Sequence, residues 1–307
     1  MKVLVTGVGG QLGHDVMNEL ASRGYEGIGS DIKETYSGIQ DGTAVTTMPY
    51  VPMDITDASS VEKVLTDAKP DVVVHCAAWT AVDLAEDEDK KEIVKAVNAT
   101  GTKNIADVCK KLECKMVYIS TDYVFNGNNH IPYTEDDITD PIGVYGKTKL
   151  AGEETIKKVG CNYIILRTAW LYSKWGNNFV KTMQKLTLEK DSLSVIFDQI
   201  GSPTYAKDLA HAISLIIERN MLNQQGIYHY SNEGVCSWFD FAKEICELSG
   251  HNCNITPIHS QEYPSKVTRP HYSVLDKTKF KETFGIPVPY WKDSLKKCIN
   301  ELKEMQL

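Results

Sequence analysis

The 307-residue chain (34.3 kDa) is 42% hydrophobic and 24% charged, which places it among ordinary globular proteins with room for one large α/β domain or two lobes. A formal charge of −8 and a pI near 5.5 argue against nucleic acid as a partner, because gripping a phosphate backbone relies on clustered Lys and Arg. No apolar run is long enough for a membrane span, and the eight cysteines are scattered without a Cys-x-x-Cys pair, as buried thiols in a reducing compartment are, so the expected location is cytoplasmic.

From the N-terminus, short apolar runs alternate with amphipathic segments. KVLVTG reads as a strand, residues 11–23 as a helix, YEGIGSD as a strand, 59–68 as a helix, DVVVHCAA as a strand, 90–112 as one helix and KMVYISTD as a strand. These strands are continuous Val/Ile/Leu runs rather than alternating ones, so both faces should be covered. The fold class expected is therefore α/β, a doubly wound parallel sheet of Rossmann type. After a helix over 145–159 and the strand YIILRTAWLY, the rhythm loosens. Residues 177–189 read as a helix, LSVIF as a strand, and SPTYAKDLAHAISLIIER as a helix opened by Ser202-Pro203. GIYHYS is then a strand, 238–248 a helix, a short strand lies near Ile255, and a last helix starts at about Trp291. The expected partition is a dinucleotide-binding domain over 1–168 with returns at about 190–228, and a smaller α/β substrate-binding lobe from about 169–189 and 229–307.

The turn VTGVGGQLGHDV carries Gly7, Gly10 and Gly13 between the first strand and the first helix. In a dinucleotide site the first glycine makes the turn, the second lets backbone approach a pyrophosphate, and the third lets helix and strand pack closely. Backbone N–H groups where the helix opens, at Gln11 and Leu12, supply the anion site. Asp31 ends the second strand, where a carboxylate accepts both ribose hydroxyls and disfavours a 2′-phosphate. Lys33 offsets that repulsion, so the cofactor expected is NADP(H) or NAD(H). Asp54 and Ile55 of MDITD end the next strand within reach of an adenine.

Tyr145 and Lys149 in VYGKTKLAGEE lie one helical turn apart and would share a face. Chance alone supplies roughly 1.4 such pairs in a chain of this composition, so only the neighbouring motifs give this one meaning. The glycine turn, Asp31, HCAAWT, NATGT, ISTDYVFNG and the Tyr/Lys pair stand in one order, and together they resemble the extended short-chain dehydrogenase/reductase family. STDYVFNG, PIGVYGKTKLAGE, LRTAWLYS and GSPTYAKDLA resemble its branch of dTDP-sugar C4-ketone reductases, over about residues 1–215 with a weaker tail, TRPHYSVLD.

The resemblance implies NAD(P)H-dependent reduction of the C4 ketone of a dTDP-6-deoxyhexulose, in nucleotide-sugar and polysaccharide biosynthesis. It implies Tyr145 as the acid, Lys149 as the ammonium that stabilises its phenolate, and Thr121 as the hydroxyl on the substrate oxygen, with Ser120 the lesser claimant. Ala77, Ala78, Thr80 and Asn98 join the cofactor site, and Val82, Asp83, Asp122, Tyr123, Trp170 and Arg269 the substrate site. His75 reads as a partnered core histidine. No His/Cys/Asp cluster has convincing metal spacing, so no residue is assigned to a metal and metal dependence stays open; the expected state is a monomer or homodimer. Two alternatives stay open: another nucleotide-sugar oxidoreductase or epimerase, and a non-catalytic binding subunit like that of methionine adenosyltransferase.

Overall fold

The computed structural model describes residues 1–36 and 48–305. The N-terminal half runs β1 (Lys2–Thr6), α1 (Gln11–Ser22), β2 (Glu26–Asp31), β3 (Tyr50–Pro52), α2 (Ala58–Ala68), β4 (Val72–His75), α3 (Lys91–Lys95), α4 (Thr102–Lys111), β5 (Lys115–Thr121), α5 (Val144–Val159) and β6 (Asn162–Thr168). It continues through β7 (Leu171–Tyr172), α6 (Phe179–Glu189), β8 (Ser192–Ile196), β9 (Ile200–Gly201), β10 (Thr204–Tyr205), α7 (Ala206–Glu218) and β11 (Gly226–His229). The last elements are β12 (Cys236–Ser237), α8 (Trp238–Ser249), β13 (Asn254–Ile258), α9 (Thr278–Phe284) and α10 (Trp291–Glu304).

Among the described residues, seven strands form one parallel sheet in the order β11-β6-β5-β4-β1-β2-β3. The uninterrupted apolar runs explain why it is covered twice. Val3, Val5, Val72 and Val74 face α1 and α7, while Leu4 and Val73 face α2 and α4, and all six side chains are fully buried. Each such burial contributes about 1.5–3 kcal/mol. The winding reverses between β1 and β4, which opens a crevice at the carboxyl ends of those strands, where ligands of doubly wound folds bind.

Several expectations need correction. The segment read as one helix over 90–112 is α3, a π-helical turn over Ala96–Gly101, and α4, with buried Asn98 inside the turn. Ser202-Pro203 does not open α7, because residues 204 and 205 first pair with β7 and Tyr205 N–H donates to Asn232 Oδ1 at 2.7 Å. β8, placed by sequence in the return at about 190–228, pairs instead with β13 outside the central sheet. Conversely, α9 lies within the stretch assigned to the lobe, yet Phe280 and Phe284 pack into the core beneath α7 and β11. Edge strands and short helices of this kind follow their tertiary partners, which local periodicity does not contain. The remaining lobe is built from α6, α8, β8, β13 and α10 around Phe241, Ile245, Trp291 and Leu295. No helix among the described residues is long and apolar enough to cross a membrane.

Candidate active site

The crevice is a cavity of about 820 Å³ that runs from the glycine turn, across the ends of β1, β2, β4 and β5, to α5 and the strand end at Trp170. Gly7, Gly10, Gln11, Leu12 and Gly13 line its first end. Gly7 turns at φ +73°, and a Cβ there would stand 2.6 Å from the Ala77 nitrogen; one on Gly13 would stand 2.3 Å from the Gly7 carbonyl oxygen. Neither position has room for a side chain, so the turn brings bare backbone to the opening of α1. Asp31 Oδ2 accepts from Gly9 N–H and Oδ1 from Ile32 N–H, both at 2.8 Å, which ties the β2 carboxylate to the turn. Asp54 accepts from Thr56 N–H at 2.8 Å and from its hydroxyl at 2.7 Å, and Ile55 lies beside it on the wall. Ala77, Ala78, Thr80 and Val82 follow β4 along the floor.

A bare anion-binding turn, an acid at the end of β2 and a small-residue floor fit the pyrophosphate, ribose and adenine of a dinucleotide.

At the other end, Thr121, Asp122, Tyr123, Tyr145, Lys149 and Trp170 meet on the same cavity. β5 delivers Thr121 and α5 delivers Tyr145 and Lys149 on one face, as the four-residue spacing requires. The Lys149 ammonium is buried, donates to the Ile119 carbonyl at 2.7 Å and lies 4.1 Å from the Tyr118 ring centre. Burial pulls its pKa down to about 7 against the opposing charge of Glu153. Burial likewise pushes the Tyr145 phenol up to about 12, with the Thr121 hydroxyl pulling the other way and Asp122 reinforcing the rise. The expected acidification of the phenol by the lysine is therefore not the balance here: desolvation outweighs other influences on both groups.

Thr121 donates to Asp122 Oδ1 at 2.9 Å and accepts from Tyr123 N–H at 3.2 Å. Asp122 is buried with Oδ2 unpartnered, and burial lifts its carboxyl to about 7. Ser120 is committed elsewhere, donating to Glu153 Oε1 at 2.5 Å in a buried cluster that Arg167 completes from 2.9 and 2.7 Å.

Three sequence candidates lie outside the cavity lining. Asn98 works from behind, accepting from Trp79 N–H at 2.8 Å and donating to Trp79 O at 3.1 Å and to Thr148 Oγ1 at 3.2 Å. Asp83 and Arg269 pair with each other at 2.7 Å. Arg269 also lines a second cavity of about 700 Å³, with Phe179, Trp238, Lys266 and His271. His75 is the core residue its apolar run implied: Thr6 Oγ1 stands 2.7 Å from Nδ1, and burial lowers its pKa to about 3. Sequence reading missed Ser30, Trp79, Asn177 and Asn178. Asn178 caps α6 and donates to Gln11 Oε1 at 3.0 Å, tying the lobe to the glycine turn; its position before an amphipathic helix was the available signal.

The family model described as RmlD substrate binding domain matches residues 1–304. The chain belongs to that family. Spore coat polysaccharide biosynthesis protein SpsK of Bacillus subtilis is 41% identical over 302 residues, which is 98% of this chain and 97% of SpsK. A solved dTDP-4-dehydrorhamnose reductase from Clostridium acetobutylicum superposes with a TM-score of 0.88 at 40% identity, covering 99% of this chain and 100% of its own. The dTDP-4-dehydrorhamnose reductase of Bacillus anthracis, solved in complex with NADP, gives 0.86 at 36% identity, over 98% and 99%. Membership in the RmlD family thus extends along both the sheet and the lobe.

Proposed function

We propose that the protein is an NAD(P)H-dependent dTDP-4-dehydrorhamnose reductase, converting the C4 ketone of dTDP-4-dehydro-L-rhamnose to the hydroxyl of dTDP-L-rhamnose for polysaccharide synthesis. The observation that carries the reading is the convergence of Tyr145, Lys149 and Thr121 on the cavity whose far end is Gly7, Gly13 and Asp31. A nicotinamide held in the cleft would supply the hydride to C4. Tyr145 donates its proton to the C4 oxygen as negative charge develops there, and the Thr121 hydroxyl, on turning its proton away from Asp122 Oδ1, hydrogen-bonds the same oxygen. A phenol raised to about 12 stays protonated through neutral pH, which is the form a donor needs. Lys149, when charged, stabilises the phenolate left behind. Asp122, Tyr123, Trp170 and Val82 bound the space for the sugar, while Arg269, paired with Asp83, lines the second cavity.

All eight cysteines are free, which fits a reducing compartment, and we read the enzyme as cytoplasmic, acting as a monomer or homodimer on a soluble nucleotide sugar. The test follows absorbance at 340 nm with dTDP-4-dehydrorhamnose and either NADPH or NADH. Consumption of reduced cofactor with formation of dTDP-L-rhamnose is expected; binding without turnover would reject the assignment.

A further inference from the structure

We propose that Trp238 is the positioning residue for Trp170, an inference that rests on the reading of the cleft as a nucleotide-sugar reductase site. Trp170 is held at φ 48°, a left-handed backbone that a bulky side chain rarely adopts. Such strain persists where the surroundings over-determine the conformation. Here they do. The Trp238 indole lies flat on that of Trp170, with centroids 3.6 Å apart and planes 9° from parallel, and Phe179 packs on Trp238 at 4.6 Å. The Trp170 carbonyl accepts from Thr204 N–H at 3.1 Å, which anchors the strained residue to β10.

One ribbon supplies two parts of the clamp. β9 and β12 pair with Gly201 opposite Cys236, so one two-stranded ribbon presents Gly201 and, immediately after β12, Trp238. A Cβ on Gly201 would stand 2.6 Å from Trp170 Cε2, so the ribbon lies directly against the indole. Trp238 is fixed in turn as the first residue of α8, whose capping box has Ser237 N–H donating to Asp240 Oδ2 at 2.9 Å and Asp240 N–H donating to Ser237 Oγ at 3.0 Å.

Trp170 lines the reactive cleft and Trp238 lines the second cavity, so the stacked pair is a partition between them. A substrate whose ketone meets Tyr145 has its sugar ring beside this partition, and the attitude of Trp170 sets where the ring comes to rest. The dinucleotide end, built from Gly7, Gly13 and Asp31, does not depend on it.

Trp238→Ala should raise the KM for dTDP-4-dehydrorhamnose roughly tenfold, of the order expected for a lost aromatic stack with released backbone strain. The KM for NADPH should stay within about twofold, and Trp238→Phe should recover most of the loss, since a smaller ring still stacks. Stacked indoles also couple their transitions, so the wild-type circular dichroism should carry an exciton couplet that disappears in both Trp170→Phe and Trp238→Phe. An unchanged sugar KM in the alanine variant, a parallel rise in the NADPH KM, or a phenylalanine variant as impaired as the alanine one would overturn the inference. If the alanine variant does not fold, the couplet decides: a wild-type spectrum without it overturns the stack. Absence of turnover in the wild type, with the couplet present, would instead reject the reductase reading while leaving the indole pair in place.

Discussion

The Lys149 ammonium donates to the Ile119 carbonyl at 2.7 Å, so the cation of the reactive cluster is held by the strand that carries Thr121, two residues further on. Burial lowers its pKa from 10.5 to about 7. The charged fraction that stabilises a phenolate therefore falls as pH rises through about 7, and the reduction rate should fall with it. A pH–rate profile checks this, and Lys149→Arg, which cannot lose its proton, should flatten the alkaline limb even if it lowers the maximum. The same shift acts on stability. Because the folded value lies below the unfolded one, the penalty for burying the ammonium is complete below about pH 7 and shrinks as pH rises towards 10.5. Lys149→Met should therefore gain most over wild type at pH 6, with the gap closing by roughly 1.4 kcal/mol per pH unit above neutrality. Denaturant melts at pH 6 and pH 9 would read it.

Tyr145→Phe removes the donor and keeps the ring that meets Tyr123 edge-on at 5.5 Å. Turnover should drop by roughly 10²-fold or more while dinucleotide affinity stays near wild type. Stopped-flow or steady-state assays at saturating cofactor measure the first, and fluorescence titration with NADPH the second. Full activity in this variant would remove Tyr145 from the chemistry.

Asp31 accepts from the Gly9 and Ile32 N–H groups, and in the proposed function its carboxylate would also accept the ribose hydroxyls. Asp31→Ala should weaken both cofactors through the loosened turn, but NADH by roughly tenfold or more beyond NADPH, because only NADH loses hydroxyl acceptors without losing a repulsive charge. Parallel titrations give the ratio; an unchanged preference would show that the ribose is read elsewhere.

Arg269 is about one-third exposed and paired with Asp83. Arg269→Ala should cost less than about 1 kcal/mol of stability, as exposed ion pairs do. If the guanidinium engages the diphosphate, the KM for the sugar nucleotide should rise roughly tenfold with turnover little changed. A thermal melt beside a kinetic titration separates the two effects.

The central sheet was legible because its signal is local. KVLVT and VVVH are uninterrupted apolar runs, and such runs imply burial on both faces wherever they sit in the chain. The glycine turn and the Tyr145–Lys149 spacing were legible for the same reason: a tight turn and one face of a helix are defined within a few residues. The break in the long helix at Ala96–Gly101 was not legible, since it coincides with contacts of Asn98 to Trp79 and Thr148 that lie 19 and 50 residues away.

What the amino-acid order determined alone is the layered α/β architecture and which residue types stand at each strand end, because periodicity and turn chemistry act over neighbouring residues. What only the tertiary structure decided is the company those residues keep. It withdrew Ser120 to Glu153, paired Arg269 with Asp83, set β8 on β13, and enclosed half-buried Tyr145 and buried Lys149 so that desolvation, not their mutual charge, governs both. Dielectric surroundings and long-range pairing are properties of the packed chain, and no short stretch of sequence contains them.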